Sequence, residues 1–162
     1  MTTATFNHLL LNEGGAFRSV GEEAGVAAYG WQTGAAAGDV NGDGLTDLYV
    51  AGYVNLLSQD TSSTQGFPRD HEGLPDLLYL GTGVDNGIPQ FTEVALDEER
   101  GYGLGVLLAD LDGDMDLDVY VANDTNPNTV LRNDSSAGEL ALVDLADSGA
   151  NDEFSEIGRA HV

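Results

Sequence analysis

The chain has 162 residues, 41% of them hydrophobic, which is enough for one domain with a core and argues against wholesale disorder. Twenty-eight acidic residues face five basic ones, and a net charge of −23 makes nucleic acid and anionic membranes poor partners. Cysteine is absent, which excludes disulfides and thiolate metal sites, and no apolar stretch approaches the roughly 20 residues of a membrane span.

The first predicted element is the short apolar run Asn7-His-Leu-Leu-Leu-Asn12, followed by a Gly-containing turn and a second short strand over residues 16–20. Residues 21–28 predict a helical turn at most. A Gly/Ala-rich stretch then leads into an Asp-rich loop at residues 39–47 and a strand at 48–51. Residues 53–75 are rich in Ser, Thr, Gln and Gly and read as an insertion. Beyond it come a strand at 76–81, a turn at Gly81-Thr-Gly83 and a strand at 90–94. Gly101-Tyr-Gly103-Leu-Gly105 is not a dinucleotide fingerprint, because position 106 is Val and no helix follows, so it reads as backbone punctuation. A second Asp-rich loop occupies residues 110–118, before strands at 117–122, 128–133 and 140–144.

These elements repeat. Residues 7–12, 76–81 and 128–133 are one motif in three copies, and the two Asp loops lie 71 residues apart. The second and third motif copies start 52 residues apart. Removing the insertion leaves a period of about 50 residues, within the range of solenoids and propellers. Short antiparallel strands with frequent turns and no long amphipathic helix predict an all-β chain, a partial β-propeller of four-stranded blades. The expected organisation is repeats over residues 1–156, with units at about 7–52 and 76–123 and an incomplete one at 128–156. Two units and part of a third are too few to close a ring. The last six residues, Ile157-Gly-Arg-Ala-His-Val162, read like a translated sequencing adapter and are expected to be a non-native tail.

The loops read Asp39-Val-Asn41-Gly-Asp43-Gly44-Leu45-Thr-Asp47 and Asp110-Leu-Asp112-Gly-Asp114-Met115-Asp116-Leu-Asp118. Oxygen-bearing side chains stand at positions 1, 3, 5 and 9. Position 7, Leu45 or Asp116, can offer its backbone carbonyl. Calcium is a hard cation that takes six to eight oxygens, and a tight loop points such donors at one centre. Without a cation the carboxylates crowd: unit charges about 4 Å apart repel by about 4 kcal/mol at an effective dielectric near 20. An EF-hand or dockerin loop would need an oxygen donor at position 12 and a helix after it. Here position 12 is Val50 or Val121 and a strand follows.

With these loops, Asp47-Leu-Tyr-Val-Ala51 and Val119-Tyr-Val-Ala-Asn-Asp124, followed by Pro127-Asn128 and Leu131-Arg-Asn133, the chain resembles the FG-GAP/VCBS repeat, also used by integrin α-subunit propellers. It looks like the branch containing cartilage acidic protein and the bacterial ASPIC/UnbV-associated proteins. The resemblance implies a propeller, extracellular, periplasmic or on the cell surface, with Ca2+ in both loops and a role in adhesion or recognition of a protein or glycan. The alternative is an accessory propeller of a larger secreted hydrolase or lyase. Two features depart from the pattern. The Phe-Gly and Gly-Ala-Pro signatures are eroded around Gly34, Gly105, Ala51-Gly52 and Ala122-Asn123. Met115 also replaces the position-6 glycine, so the second loop is expected to be strained or to bind more weakly wherever that position needs positive φ.

Nothing else reads as catalytic, and the chain is read as a non-enzyme. Asp70-His71-Glu72 resembles an acid/base cluster, yet exposed polar loops produce such triplets by chance. A partner contact is the better expectation for residues 53–75. His8 and Trp31 read as packing or surface residues, and there is no nucleophile elbow or His-Glu-x-x-His. Asn123 and Asn133 head glycosylation sequons in turns that favour Asn anyway.

Overall fold

Apolar residues alternating between Gly- and Asp-rich turns cannot bury themselves in helices, and the chain folds as short antiparallel strands. The computed structural model describes residues 5–96, 101–136 and 138–145. In chain order the elements are β1 (Thr5–Phe6), β2 (Leu10–Glu13), β3 (Ala16–Ser19), α1 (Gly21–Ala24), β4 (Tyr29–Gly30), β5 (Gln32–Gly38) and β6 (Asp47–Gly52). They continue with β7 (Val54–Asn55), β8 (Glu72–Gly73), β9 (Leu77–Asp85), β10 (Ile88–Val94), β11 (Gly103–Ala109), β12 (Asp118–Asn123), β13 (Thr129–Asn133) and β14 (Leu142–Asp144). Residues 157–162, with their predicted tail, lie outside the described residues.

Two four-stranded antiparallel sheets dominate, ordered β5-β6-β9-β10 and β11-β12-β13-β14. Their registers match: Tyr49 faces Leu78 in the first as Tyr120 faces Val130 in the second. Both inner strands carry a bulge at the same place, between Gln32 and Gly34 and between Gly103 and Gly105. Strands β2 and β3 form a separate hairpin equivalent to the outer pair of each sheet. This is the architecture of propeller blades, and the chain is all-β with a partial propeller arrangement.

The sheets are phased half a unit from the sequence repeats. Each sheet joins the inner hairpin of one sequence unit to the outer hairpin of the next, so residues 53–75 leave and re-enter within the first sheet, between the paired strands β6 and β9. The Gly/Ala-rich stretches are themselves the inner strands β5 and β11. They come close enough that a Cβ on Gly34 would lie 3.0 Å from Gly105 Cα, which is why small residues stand there. Gly81-Thr-Gly83 is inside β9 rather than at a turn; the chain reverses at Asn86-Gly87, both at positive φ, as a two-residue hairpin requires.

Strand alternation divides the core in two. Tyr49, Ala51 and Leu78 of the first sheet pack with Val119, Val121 and Leu131 of the second, closed at one end by Val40 from the first Asp loop. Val50 and Tyr79 point the other way, against Ala24 and Val26 at and after α1. Both faces of the first sheet are therefore covered, and β6 is buried along nearly its whole length.

Candidate metal centres

Each Asp loop joins the two innermost strands of a sheet. The first runs from the end of β5 to Asp47, the first residue of β6; the second runs from the end of β11 to Asp118, the first residue of β12. Short acidic side chains in such a turn cap the loop's own amides, as Asx residues do wherever a chain folds back sharply.

The two loops share most of their bonds and differ at position 1, whose acid takes the amides of positions 5 and 6 in the first loop and of positions 4 and 6 in the second. At position 1, Asp39 accepts from the Asp43 and Gly44 amides at 3.1 and 2.8 Å, and Asp110 accepts from Gly113 and Met115 at 2.6 and 3.1 Å. At position 3, Asn41 Oδ1 accepts from Asp43 N at 3.1 Å and Asp112 from Asp114 N at 3.2 Å. At position 5, Asp43 accepts from Leu45 N at 2.8 Å and Asp114 from Asp116 N at 3.1 Å.

Position 9 does more than finish the loop. Asp47 and Asp118 are 0% and 1% exposed. Asp47 takes the Val40 amide on one oxygen and the Gly81 amide of β9 on the other, both at 2.8 Å. Asp118 takes Leu111 N at 2.7 Å and Asn133 N of β13 at 2.8 Å. Each carboxylate thus clamps its loop to the third strand of the same sheet, and each oxygen keeps a second lone pair.

Three donors of the second loop converge, while Asp114 lies outside the group and Asp39, Asp43 and Asp47 form no such trio. One carboxylate oxygen from each of Asp110, Asp112 and Asp118 lies within 4.8 Å of the others, the one such acidic trio among the described residues. In the first loop Asn41 stands in place of Asp112, and its Nδ2 donates to Asp43 Oδ2 at 3.0 Å, relieving part of the acid–acid contact.

Crowding is visible in the acidities. Burial pushes Asp47 up from the usual carboxylate value, against two backbone amides that pull it down, and the charges of Asp43 and Asp39 add to the rise. Asp112 is raised by its surroundings and then by Asp114. Asp116 is pushed up to about 6, by burial first and by neighbouring Asp114 next, while the Asp116 amide holds Asp114 low. Asp116 Oδ1 is buried without a hydrogen-bond donor. An all-oxygen, anionic set with an orphaned buried carboxylate oxygen fits a hard divalent cation and offers nothing to a soft one.

Position 6 has the backbone that favours glycine in both loops: φ is +86° at Gly44 and +81° at Met115. The Met115 side chain is 92% exposed and packs on nothing that would repay the conformation.

Three other polar positions have structural roles that the sequence reading did not assign to them. Asp76, at the head of β9, takes Gly52 N at 2.8 Å and the Tyr49 hydroxyl at 2.9 Å, and Asn128 takes Asn123 N at 3.0 Å at the matching place. Asn133 is wholly buried, its side-chain amide bonded to Val40 and Leu117 carbonyls. The signal available was the Asn or Asp that begins each copy of the strand motif and the Asn that ends two of the three. Asn123 Nδ2 likewise bonds Pro127 O at 2.7 Å, so both sequon amides are engaged.

Asp70 and His71 pair at 2.8 Å, which holds Asp70 below its usual value. The His71 ring packs edge-on against Phe67, inside a cluster that continues to Tyr53 and Trp31, and Glu72 N is bonded to Ser58. The triplet is thereby tied into the fold of the insertion. His8 contacts Ser19 at the surface.

Residues 2–50 match the family model of the FG-GAP-like repeat. The chain is 24% identical over 131 residues to cartilage acidic protein 1 of Homo sapiens, and to the same extent to that of Mus musculus. The match covers 81% of this chain and 17% of either relative, so the chain spans about a sixth of their length. Together these likenesses support an FG-GAP-type repeat protein.

Proposed function

For FG-GAP-type repeats carrying two such loops, we propose that each loop holds one calcium ion. The chain then serves as a non-catalytic propeller segment of an extracellular, periplasmic or cell-surface protein that recognises a protein or glycan. Asp39, Asn41, Asp43 and Asp47 with the Leu45 carbonyl would hold the first ion. Asp110, Asp112, Asp114 and Asp118 with the Asp116 carbonyl would hold the second. The observation that carries the reading is the approach of Asp110, Asp112 and Asp118 oxygens to within 4.8 Å of one another, in a loop whose carboxylates already disturb each other's ionisation.

When bound, the ion supplies positive charge that cancels this repulsion. The chain's own residues do the rest: position 9 ties the loop to the third strand, and positions 1, 3 and 5 order its amides. Binding energy becomes folding energy, because the site exists only in the folded chain. Extracellular calcium modules bind at about 10⁻⁴–10⁻³ M, a range suited to secreted proteins. Among the described residues no helix is long and apolar enough to cross a membrane. Recognition falls to loops on the rigid frame, above all residues 53–75, where Phe67 is half exposed beside Trp31 and Tyr53. The likeness to cartilage acidic protein 1 supports an extracellular setting without naming a partner.

Calorimetric titration with calcium tests the reading. It is expected to find two ions per chain near millimolar affinity, and a melting temperature that rises with calcium and falls back on chelation. No heat and no shift well above 10⁻³ M calcium would overturn it.

A further inference from the structure

We infer that Asn133 is a positioning residue that couples the two cation loops, so that an ion in one strengthens binding in the other. The inference rests on the calcium reading above, but its evidence is separate. Asn133 ends β13 and is 0% exposed. Its Nδ2 donates one hydrogen to the Val40 carbonyl at 2.6 Å and the other to the Leu117 carbonyl at 3.0 Å. Val40 is position 2 of the first loop and Leu117 is position 8 of the second. One planar amide therefore spans both loops, 93 and 16 residues away in sequence.

The backbone amide and Oδ1 of Asn133 are also engaged. Its backbone amide donates to Asp118 Oδ1 at 2.8 Å, and its Oδ1 accepts from Ser135 N at 3.0 Å. The following turn adds a second strap, Gly138 N to the Asn41 carbonyl at 3.0 Å. Val40 is itself held by Asp47, so the first loop's position-9 acid, Val40, Asn133 and the second loop's position-9 acid form one continuous buried chain of bonds. Buried bonds of this kind tolerate little displacement, because a broken one leaves an unsatisfied polar group. An ion that orders either loop fixes its carbonyl and, through the amide plane, favours the ordered position of the other.

The first sheet provides an internal control. Gly81 occupies the place of Asn133, and its amide makes the same bond to Asp47, with no side chain to reach a neighbouring loop. Asn133→Gly should therefore keep the clamp on Asp118 and lose only the crossing.

The test measures calcium affinity at one loop with the other open or disabled. Asp110→Asn should weaken the first loop about fivefold or more, and Asp39→Asn should weaken the second by the same factor, since coupling is reciprocal. In Asn133→Gly the factor should fall most of the way to one, the remainder being what the Gly138 strap carries. A second measurement leaves Asn133 in place: in the Asp39→Asn chain, calcium at the second loop should slow hydrogen exchange of the Asp43, Gly44 and Leu45 amides. Two independent sites in the parent, or coupling undiminished in Asn133→Gly, would overturn the inference while leaving the calcium reading intact. So would unchanged exchange at the first loop. Absence of calcium binding at either loop would overturn the calcium reading itself.

Discussion

The two Asp loops share most of their bonds and nearly the same backbone at position 6, yet one reaches positive φ with glycine and the other with methionine. Gly44 and Met115 differ by five degrees, at +86° and +81°. The residue at position 6 does not choose the turn. The carboxylates at positions 1 and 9 do, by taking the same amides in both loops, and the loop imposes its conformation on whatever side chain stands at its apex. The first loop has the relaxed apex and a neutral amide at position 3; the second has a costlier apex and a third converging carboxylate. Local strain and cation attraction thus both rise from the first copy to the second, and they act on cation binding in opposite directions.

The largest test of this view removes what the loops share. Asp47→Ala or Asp118→Ala leaves two buried amides without acceptors and should cost about 3 kcal/mol in chemical denaturation, from roughly 1–3 kcal/mol per unsatisfied group. A loss below about 1 kcal/mol would mean position 9 is not the clamp. Exchanging what the loops do not share comes next. Met115→Gly should stabilise the chain by about 1–2 kcal/mol, and Gly44→Met should cost as much, following the penalty of the left-handed conformation for a residue with a Cβ. Calorimetric titration of both variants would show whether that energy appears in calcium affinity; unchanged affinity for Met115→Gly would end the strain account of weaker binding. A smaller effect separates the sheets. Only the first carries the insertion, whose Tyr53 hydroxyl reaches Asp124 beyond β12 at 2.9 Å. Tyr53→Phe should cost about 1 kcal/mol in the same denaturation experiment. Burial and Asp124 together push the Tyr53 hydroxyl up to about 12, so ultraviolet titration should place this phenol later than an exposed one, and an ordinary midpoint would argue against the contact.

The loops were legible because their information is local: nine residues, alternating oxygens and a following Tyr-Val strand suffice to mark each. The apolar outer strands were legible for the same reason. The inner strands were not. Gln32-Thr-Gly-Ala-Ala-Ala-Gly38 has poor β-propensity, and its composition answers to a different demand, the close approach of Gly34 to Gly105 across two sheets. Sheet phase was equally hidden, because a turn between hairpins looks the same whether it lies within a sheet or between sheets. Asn133 was visible as a motif and sequon residue, but its bridging role was not, since its partners lie 93 and 16 residues back and no short pattern holds both. Met115 was legible as a departure, while the positive φ that makes it one required the backbone.

The insertion leaves one sheet and grips the next. Tyr53 holds Asp124, and Arg69 Nη2 donates to the Thr125 carbonyl at 2.9 Å, so the crossing is fastened at its root and near its tip. Under mechanical load such a brace would matter. A pull that slides one sheet past the other loads these fasteners along with the apolar interlayer, whereas a pull that separates the outer hairpins bypasses them. Resistance to rupture should therefore depend on the direction of the load.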